Sequence, residues 1–142
     1  MSVFSAIISL KGVKSGDIGE FNLVSYNYGV VTPLDKATGM ASGRRYMSAI
    51  DVEMYVEPKT VRLLSCIYQN EGISGTITFF KQDPDKTKYM TVDIKEGHCI
   101  KVEQVFNLNS GNAFLVHIAF SAYAILITAI DGGISAEDTW AQ

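Results

Sequence analysis

The adjacent His98 and Cys99 are the residues whose types most directly suggest covalent chemistry, since a histidine base can activate a cysteine nucleophile. The alternation of residue types around this pair predicts a strand, and successive side chains on a strand point to opposite faces. No further polar group lies at a spacing that would orient the histidine. The pair therefore predicts no nucleophilic site, and we expect that the chain is not an enzyme.

Two other groups could in principle bind a metal ion. Asp83 and Asp85 flank Pro84, but two carboxylates fall far short of the roughly six to eight oxygen ligands that calcium takes. His117 lies in an apolar run with no second histidine at ligand spacing. We interpret the aspartates as a solvated hairpin tip and the histidine as a hydrogen-bonded structural residue, and we expect no metal and no cofactor.

The sequence also gives only weak signals for a phosphate-binding site. Gly12, Gly16 and Gly19 are not followed by Gly-Lys-Ser/Thr and do not open a helix, so they predict turns rather than a nucleotide-binding loop. Arg44 and Arg45 could hold a phosphate or a carboxylate. Paired cations at the end of a loop are more often surface charge or part of a contact between subunits, and we favour a protein contact.

Length and composition limit the function classes further. The chain has 142 residues, of which 47% are hydrophobic and 19% charged, so it predicts a single domain with one core. A formal charge of -3 argues against a nucleic-acid partner. The first residues lack the features of a secretory signal, which indicates synthesis in the cytoplasm. Cys66 and Cys99 lie among apolar neighbours and are predicted to be buried, reduced thiols.

One convincing helix follows the clearest strand, which begins at Tyr46 and alternates from Ile50 onward. Pro58 suits the first helical position, and Gly72 supplies the stop. The spacing of apolar residues predicts that the core-facing stripe of this helix consists of Val61, Leu64, Ile67 and Tyr68.

The remaining apolar segments predict strands separated by turns. Residues 75–82 and 89–95 should pair across the Asp83 turn, and residues 98–106 should form a further strand after a turn at Glu96 and Gly97. Residues 113–130 carry no formal charge and just reach the length of a membrane-spanning helix. Their β-branched and aromatic residues favour a strand covered on both faces instead, without membrane insertion. Residues 131–142 read as a polar C-terminal tail.

These elements predict an all-β fold with one short α-helix: a small barrel or two-sheet sandwich of about seven strands, forming one domain over residues 1–142. Residues 33–45 hold a proline, two glycines and three basic side chains, which is typical of a long exposed loop. With no chemistry assigned, surplus apolar strand surface favours self-assembly.

Five segments in order carry a resemblance to a known family: SGRRYMSAIDVEMYVE, the helix, GTITFFKQD, HCIKVEQVFN and IAFSA. Over roughly residues 10–122, the chain resembles the tube protein Hcp (TssD) of bacterial type VI secretion systems, in its Bacteroidetes branch. The resemblance implies homohexameric rings that stack into a hollow tube. It further implies that a contractile sheath propels the tube, a spike protein caps it and secreted effectors travel with it.

By the same resemblance, residues 33–45 correspond to an extended loop that reaches a neighbouring subunit or the next ring. The residues expected to make these subunit and ring contacts are Pro33, Leu34, Asp35, Lys36, Met40, Arg44 and Arg45. The resemblance also implies a protein that is cytoplasmic during assembly and extracellular after firing.

Two other functions are compatible with the same elements. One is the tail-tube protein of a phage or of an extracellular contractile injection particle, which shares the fold and the ring. The other is a monomeric β-barrel that binds a small apolar ligand, as lipocalins do. An enzyme is the class with the least support.

Overall fold

The computed structural model describes residues 4–31, 34, 36–40, 46–85, 87–110, 113–130 and 134–139. One α-helix and nine strands form within these residues: β1 (Phe4–Gly12), β2 (Gly16–Asn27), β3 (Val30–Val31), β4 (Tyr46–Met47), β5 (Ile50–Tyr55), α1 (Thr60–Tyr68), β6 (Ile73–Lys81), β7 (Lys88–Asn107), β8 (Ala113–Ala129) and β9 (Ser135–Thr139). A short 3-10 turn at Leu108–Ser110 follows β7.

The principal sheet closes on itself into a barrel. Its strand order is β5-β2-β1-β6-β7-β8, every pairing is antiparallel, and β5 pairs with β8 to complete the ring of strands. β7 occupies one edge of β8 along nearly its whole length. The opposite edge of β8 pairs first with β5 and then, at residues 124–128, with β9. The predicted all-β fold with one helix is therefore confirmed, in its barrel form.

Alternation of side chains fills the barrel with aliphatic groups. Ile8, Ile77, Val92 and Ile127 are partners across four neighbouring strands, so they share one face of the sheet. The first three of them are fully buried, and Ile127 packs against the buried core. Burial at roughly 25 cal/mol per Å² of apolar surface makes this interior the main source of stability.

β7 runs unbroken through the position where the sequence predicted a turn. Glu96 adopts a positive φ of 50°, and the β6 ladder shows an irregularity between Ile73 and Gly75, opposite this point. A Cβ on Gly97 would lie 2.6 Å from the carbonyl oxygen of Ile73, so glycine permits the close approach of the two strands. The prediction of two strands separated by a turn is wrong because the same residue types also suit a bulge within one strand.

α1 buries a different side from the one the sequence predicted. Thr60, Leu63 and Cys66 are its buried residues, whereas Val61 and Tyr68 are exposed. The helix also starts later than expected, since Pro58 lies in the preceding turn, and the Thr60 hydroxyl accepts a hydrogen bond from the Glu57 backbone N–H at 2.9 Å. The predicted stripe is therefore wrong at its two ends, while Leu64 and Ile67 are half-buried.

The C-terminal tail contributes a strand rather than lying apart from the fold. Residues 135–139 form β9, which pairs with β8 from Thr128↔Ser135 to Ala124↔Thr139. The other residues assigned to the tail, except residue 134, lie outside the described residues. Residues 113–129, considered above as a membrane span, form β8 as predicted. Within the described ranges, no helix has the length and apolar character needed to cross a membrane.

Candidate functional site

The residues that suggested covalent chemistry are not arranged for it. His98 is exposed, and Cys99 is half-buried with its thiol donating to the Lys101 carbonyl oxygen at 3.2 Å. Burial raises the pKa of the Cys99 thiol, which disfavours the thiolate a nucleophile needs. Cys66 is buried as predicted, whereas burial of Cys99 is partial. Among the described side chains, no group of His, Cys, Asp and Glu has the geometry to hold a metal ion.

A carboxylate at the end of α1 holds the β1–β2 turn. Glu71 accepts hydrogen bonds from the backbone N–H groups of Lys14 and Ser15, at 2.8 and 2.7 Å, and from the Ser15 hydroxyl at 2.8 Å. These bonds, led by the one from the Ser15 backbone, hold the pKa of Glu71 below its ordinary value. Gly12 leaves the space that this carboxylate occupies. The arrangement anchors the β1–β2 turn to the segment that follows the helix.

The loop expected to make subunit contacts is exposed wherever the structure describes it. Leu34, Lys36 and Met40 are all exposed; a turn covers residues 36–38, and Gly39, which follows it, has a φ of 73°. The remaining residues assigned to these contacts, Pro33, Asp35, Arg44 and Arg45, lie outside the described residues. Their role in contacts therefore stays a prediction.

The C-terminal half of β7 has one edge unpaired. β6 pairs with β7 from Phe80↔Lys88 to Ile73↔Gly97, and beyond that point residues 99–107 pair with β8 alone. We call residues 99–107 of β7 and residues 113–120 of β8 the arm. Along residues 99–107, no described strand takes the outer edge, so its alternate N–H and C=O groups are available to another chain.

β2 offers a second unpaired edge in the same region. Its pairing with β1 begins at Ile7↔Asn22, so residues 23–27 pair with β5 and with no other described strand. The segment β2 (23–27)–β5–β8 (113–120)–β7 (99–107) is thus a four-stranded antiparallel sheet that is open at both sides. We call this segment the open sheet.

The outer face of the open sheet carries a row of ionisable side chains. His117 stands directly opposite Glu53 on β5 and Glu103 on β7. Its Nε2 lies 3.3 Å from Oδ1 of Asp51. The hydrogen-bonded, structural role expected for this histidine stays a prediction. The Ser25 hydroxyl donates to Oε1 of Glu53 at 2.9 Å. The middle of this face is therefore polar and acidic, whereas the opposite face continues the hydrophobic core.

The sequence pattern does not reveal the open sheet. A strand has the same alternating sequence pattern whether its hydrogen-bonding partner lies in its own chain or in another copy. One signal was available: residues 98–106 contain Val105 and Phe106, apolar side chains that the barrel leaves exposed. A strand whose apolar residues exceed what its own core can cover is typical of an assembly surface.

Comparison with protein families gives a match over nearly the whole chain. Residues 2–141 match the family described as hemolysin coregulated protein Hcp (TssD). A search of curated protein sequences gives no match.

Solved structures with the same fold come from several bacteria. Hcp1 from Escherichia coli EAEC 042 has a TM-score of 0.85 at 18% identity, with 96% of this chain and 99% of that chain covered. Hcp3 from Pseudomonas aeruginosa has a TM-score of 0.80 at 16% identity, covering 98% and 99%. Hcp1 from Flavobacterium johnsoniae has a TM-score of 0.74 at 21% identity, covering 93% and 99%. At these identities the likeness shows a shared fold.

Proposed function

Because the chain belongs to the Hcp (TssD) family and is a type VI secretion tube subunit, we propose that it assembles into hexameric rings by joining the two edges of the open sheet. The observation that carries this proposal is that both unpaired edges belong to one sheet. The hexameric number is the one that the family resemblance implies.

Strand polarity supports pairing between the two edges. Since β2, β5, β8 and β7 alternate in direction, the edge at residues 99–107 runs antiparallel to the edge at residues 23–27. The arm of one copy can therefore add to β2 of the next copy as an ordinary antiparallel strand. A contact between two different edges is heterologous, and such contacts form a ring when the rotation between copies closes.

The position of the barrel decides which face of the open sheet lines the ring. The barrel core lies on one side of the open sheet, and this bulk fits only on the outside of a closed ring. The outer face with Glu53, Glu103 and His117 would then face the channel. At about 4.8 Å per strand, a hexameric ring of about 24 strands has a circumference of roughly 115 Å and a backbone diameter of roughly 37 Å before strand tilt.

The loop at residues 33–45 would mediate the contacts between stacked rings. Its described residues Leu34, Lys36 and Met40 are exposed and combine apolar and basic side chains. We propose that this loop, including Arg44 and Arg45, contacts the neighbouring subunit or the next ring. Repetition of such a heterologous contact along the axis produces an open-ended filament, which is what a tube requires.

The proposed partners follow from this assembly. The subunit would assemble in the cytoplasm, inside a contractile sheath and beneath a spike protein, and would leave the cell with secreted effectors after contraction. The protein's contribution is mechanical, since it supplies the wall of the tube and no chemical step.

The test is the solution mass by light scattering, followed by negative-stain images of the same fraction. Rings should appear with a mass near six times 15.5 kDa and a channel of the width estimated above. A protein that stays monomeric at high concentration would contradict the ring and favour a ligand-binding barrel instead. One variant tests the role of the unpaired edge of β7: Val105→Pro should remove a backbone donor from the arm. Val61→Ala, at an exposed position on α1, is the control.

A further inference from the structure

We propose that Phe106 and Phe114, at the end of the arm, fill the cleft between β1 and β2 of the next copy in the ring. The inference rests on the ring assembly proposed above and adds to it the side-chain contact that would hold two subunits together.

The two phenylalanines form an exposed aromatic pair. They are cross-strand partners with ring centroids 5.8 Å apart in an edge-to-face arrangement, and they are 58% and 43% exposed. Phe106 lies on the same face of β7 as Val102, which is paired with the fully buried Ile118. The pair thus lies at the end of the core-facing side of the sheet, where no described residue of the same chain covers it fully.

The cleft lies where β1 and β2 separate. Residues 4–6 of β1 have no partner on β2, because the ladder between these strands begins at Ile7↔Asn22. A cleft of about 460 Å³ opens there, and its walls consist of both strands, Tyr55 of β5 and Phe79 of β6. Its apolar lining comes mainly from Phe4, Ala6, Leu23, Tyr26 and Phe79. Tyr26 and Phe79 are in edge-to-face contact at 5.8 Å, so the cleft already has an aromatic wall.

The arm and the cleft meet in the proposed ring for two independent reasons. The cleft borders residues 23–26 of β2, which belong to the edge that receives the arm. Leu23 packs against the hydrophobic core, as do Tyr26 and Phe79, so these apolar walls of the cleft lie on the core-facing side of the sheet. Phe106 points to that same side of the arm. Antiparallel addition therefore brings the aromatic pair to the cleft without any change of strand face.

The phenylalanine pair and the cleft also lie at similar positions along the strand direction. Tyr55, Leu115 and Val105 form one row across the open sheet, and Met54, next to Tyr55, is paired with Leu23. The phenylalanine pair follows this row by one residue. Leu23 of the cleft is level with Gln104 across the open sheet, so Phe106 lies two residues beyond that level on the same face. Both features thus lie near the same end of the open sheet.

Engineered disulfides test the contact directly. In a Cys99→Ser background, Phe106→Cys combined with Leu23→Cys should give, after mild oxidation, a ladder of cross-linked species up to a closed hexamer on non-reducing electrophoresis. The matched control combines Phe106→Cys with Val61→Cys, an exposed position on α1, and should remain uncross-linked. Cys66 is buried and stays in place in both variants.

The outcomes separate the contact from the ring itself. Rings of the expected mass without cross-links would overturn the contact and leave the ring assembly standing. Absence of rings in the parent protein would overturn both. As a second readout, Phe106→Ser should raise the concentration at which rings dissociate by about tenfold or more, with an unchanged far-UV circular dichroism spectrum. An unchanged dissociation concentration would overturn the proposal.

An apolar dye distinguishes a subunit from a small ligand as the occupant of the cleft. Dissociated Phe106→Ser subunits should bind the dye, and intact parental rings should not, because the aromatic pair already fills the cleft. Equal dye binding by intact rings and dissociated subunits would overturn the proposal.

Discussion

The side of α1 that packs on the barrel can be tested with two matched truncations. Leu63 is 0% exposed and Val61 is 68% exposed, although only one residue separates them on the helix. The structure therefore predicts that Leu63→Ala destabilises the protein strongly and that Val61→Ala does not. The stripe expected from the sequence predicts that Val61 matters.

The size of the effect follows from burial. Replacing a fully buried leucine by alanine costs about 2–5 kcal/mol, because apolar contact is lost and a cavity remains. For a domain of this length, about 3 kcal/mol corresponds to a fall in Tm of roughly 10 °C. Val61→Ala removes methyl groups that are mostly in water and replaces a β-branched residue by a better helix former, so its effect should lie within about 0.5 kcal/mol.

Urea unfolding followed by circular dichroism measures both variants. The comparison is made at one protein concentration for all samples, because assembly adds to apparent stability by mass action. Equal losses for the two variants, or a larger loss for Val61→Ala, would refute the packing of α1 described here.

Three further predictions follow from other parts of the chain. Because its folded-state pKa is lowered, Glu71 contributes stability that is present above the ordinary pKa of 4.5 and is lost as pH falls through the folded-state value. Glu71→Gln should thus lower Tm at pH 7 and make Tm fall less steeply as the pH is lowered. If Tm fell with pH as steeply in the variant as in the parent, the anchoring role would be contradicted. Charge reversal at Arg44 and Arg45 should weaken stacking or ring closure in negative-stain images and leave circular dichroism unchanged, and tubes of normal length would remove the proposed role of the loop. Gly97→Ala should cost about 1–3 kcal/mol because its Cβ meets a backbone oxygen at 2.6 Å, whereas Gly29→Ala meets an ordinary 3.6 Å contact; similar Tm values for the two would show that β7 can relax.

The strands of the all-β fold were predictable because their signals are local, whereas the choice between a barrel and a two-sheet sandwich was not. Alternation over β5, turn chemistry at Asp83 and the long apolar run of β8 each specify an element from nearby residues alone. β9 was missed for a physical reason: it is a short outer strand of small and acidic residues, and such strands lack the β-branched enrichment of a covered strand.

The helix face and the assembly surface could not be obtained in the same way. The buried side of α1 contains Thr60 and Cys66, which do not stand out as apolar in a sequence pattern, and nine residues are too few to average out that error. Of the open sheet, the sequence showed the strands but not which edges lack a partner, because edge pairing depends on the whole topology. The loop at residues 33–45 was assigned by family resemblance, and its exposed described residues agree with that assignment without testing it.

The uninterrupted pairing of β7 with β8 has a mechanical consequence. The ladder extends from Met90↔Ala129 in the barrel to Asn107↔Ala113 at the end of the arm, with a single irregularity near Cys99. A force along the strands therefore loads many hydrogen bonds in shear at the same time, whereas a force across them would break the bonds one after another. In the proposed ring, a subunit held by its arm would thus transmit an axial thrust into its barrel with little bending, and the stiffness of the ring would be set by the contacts between copies rather than by the arm.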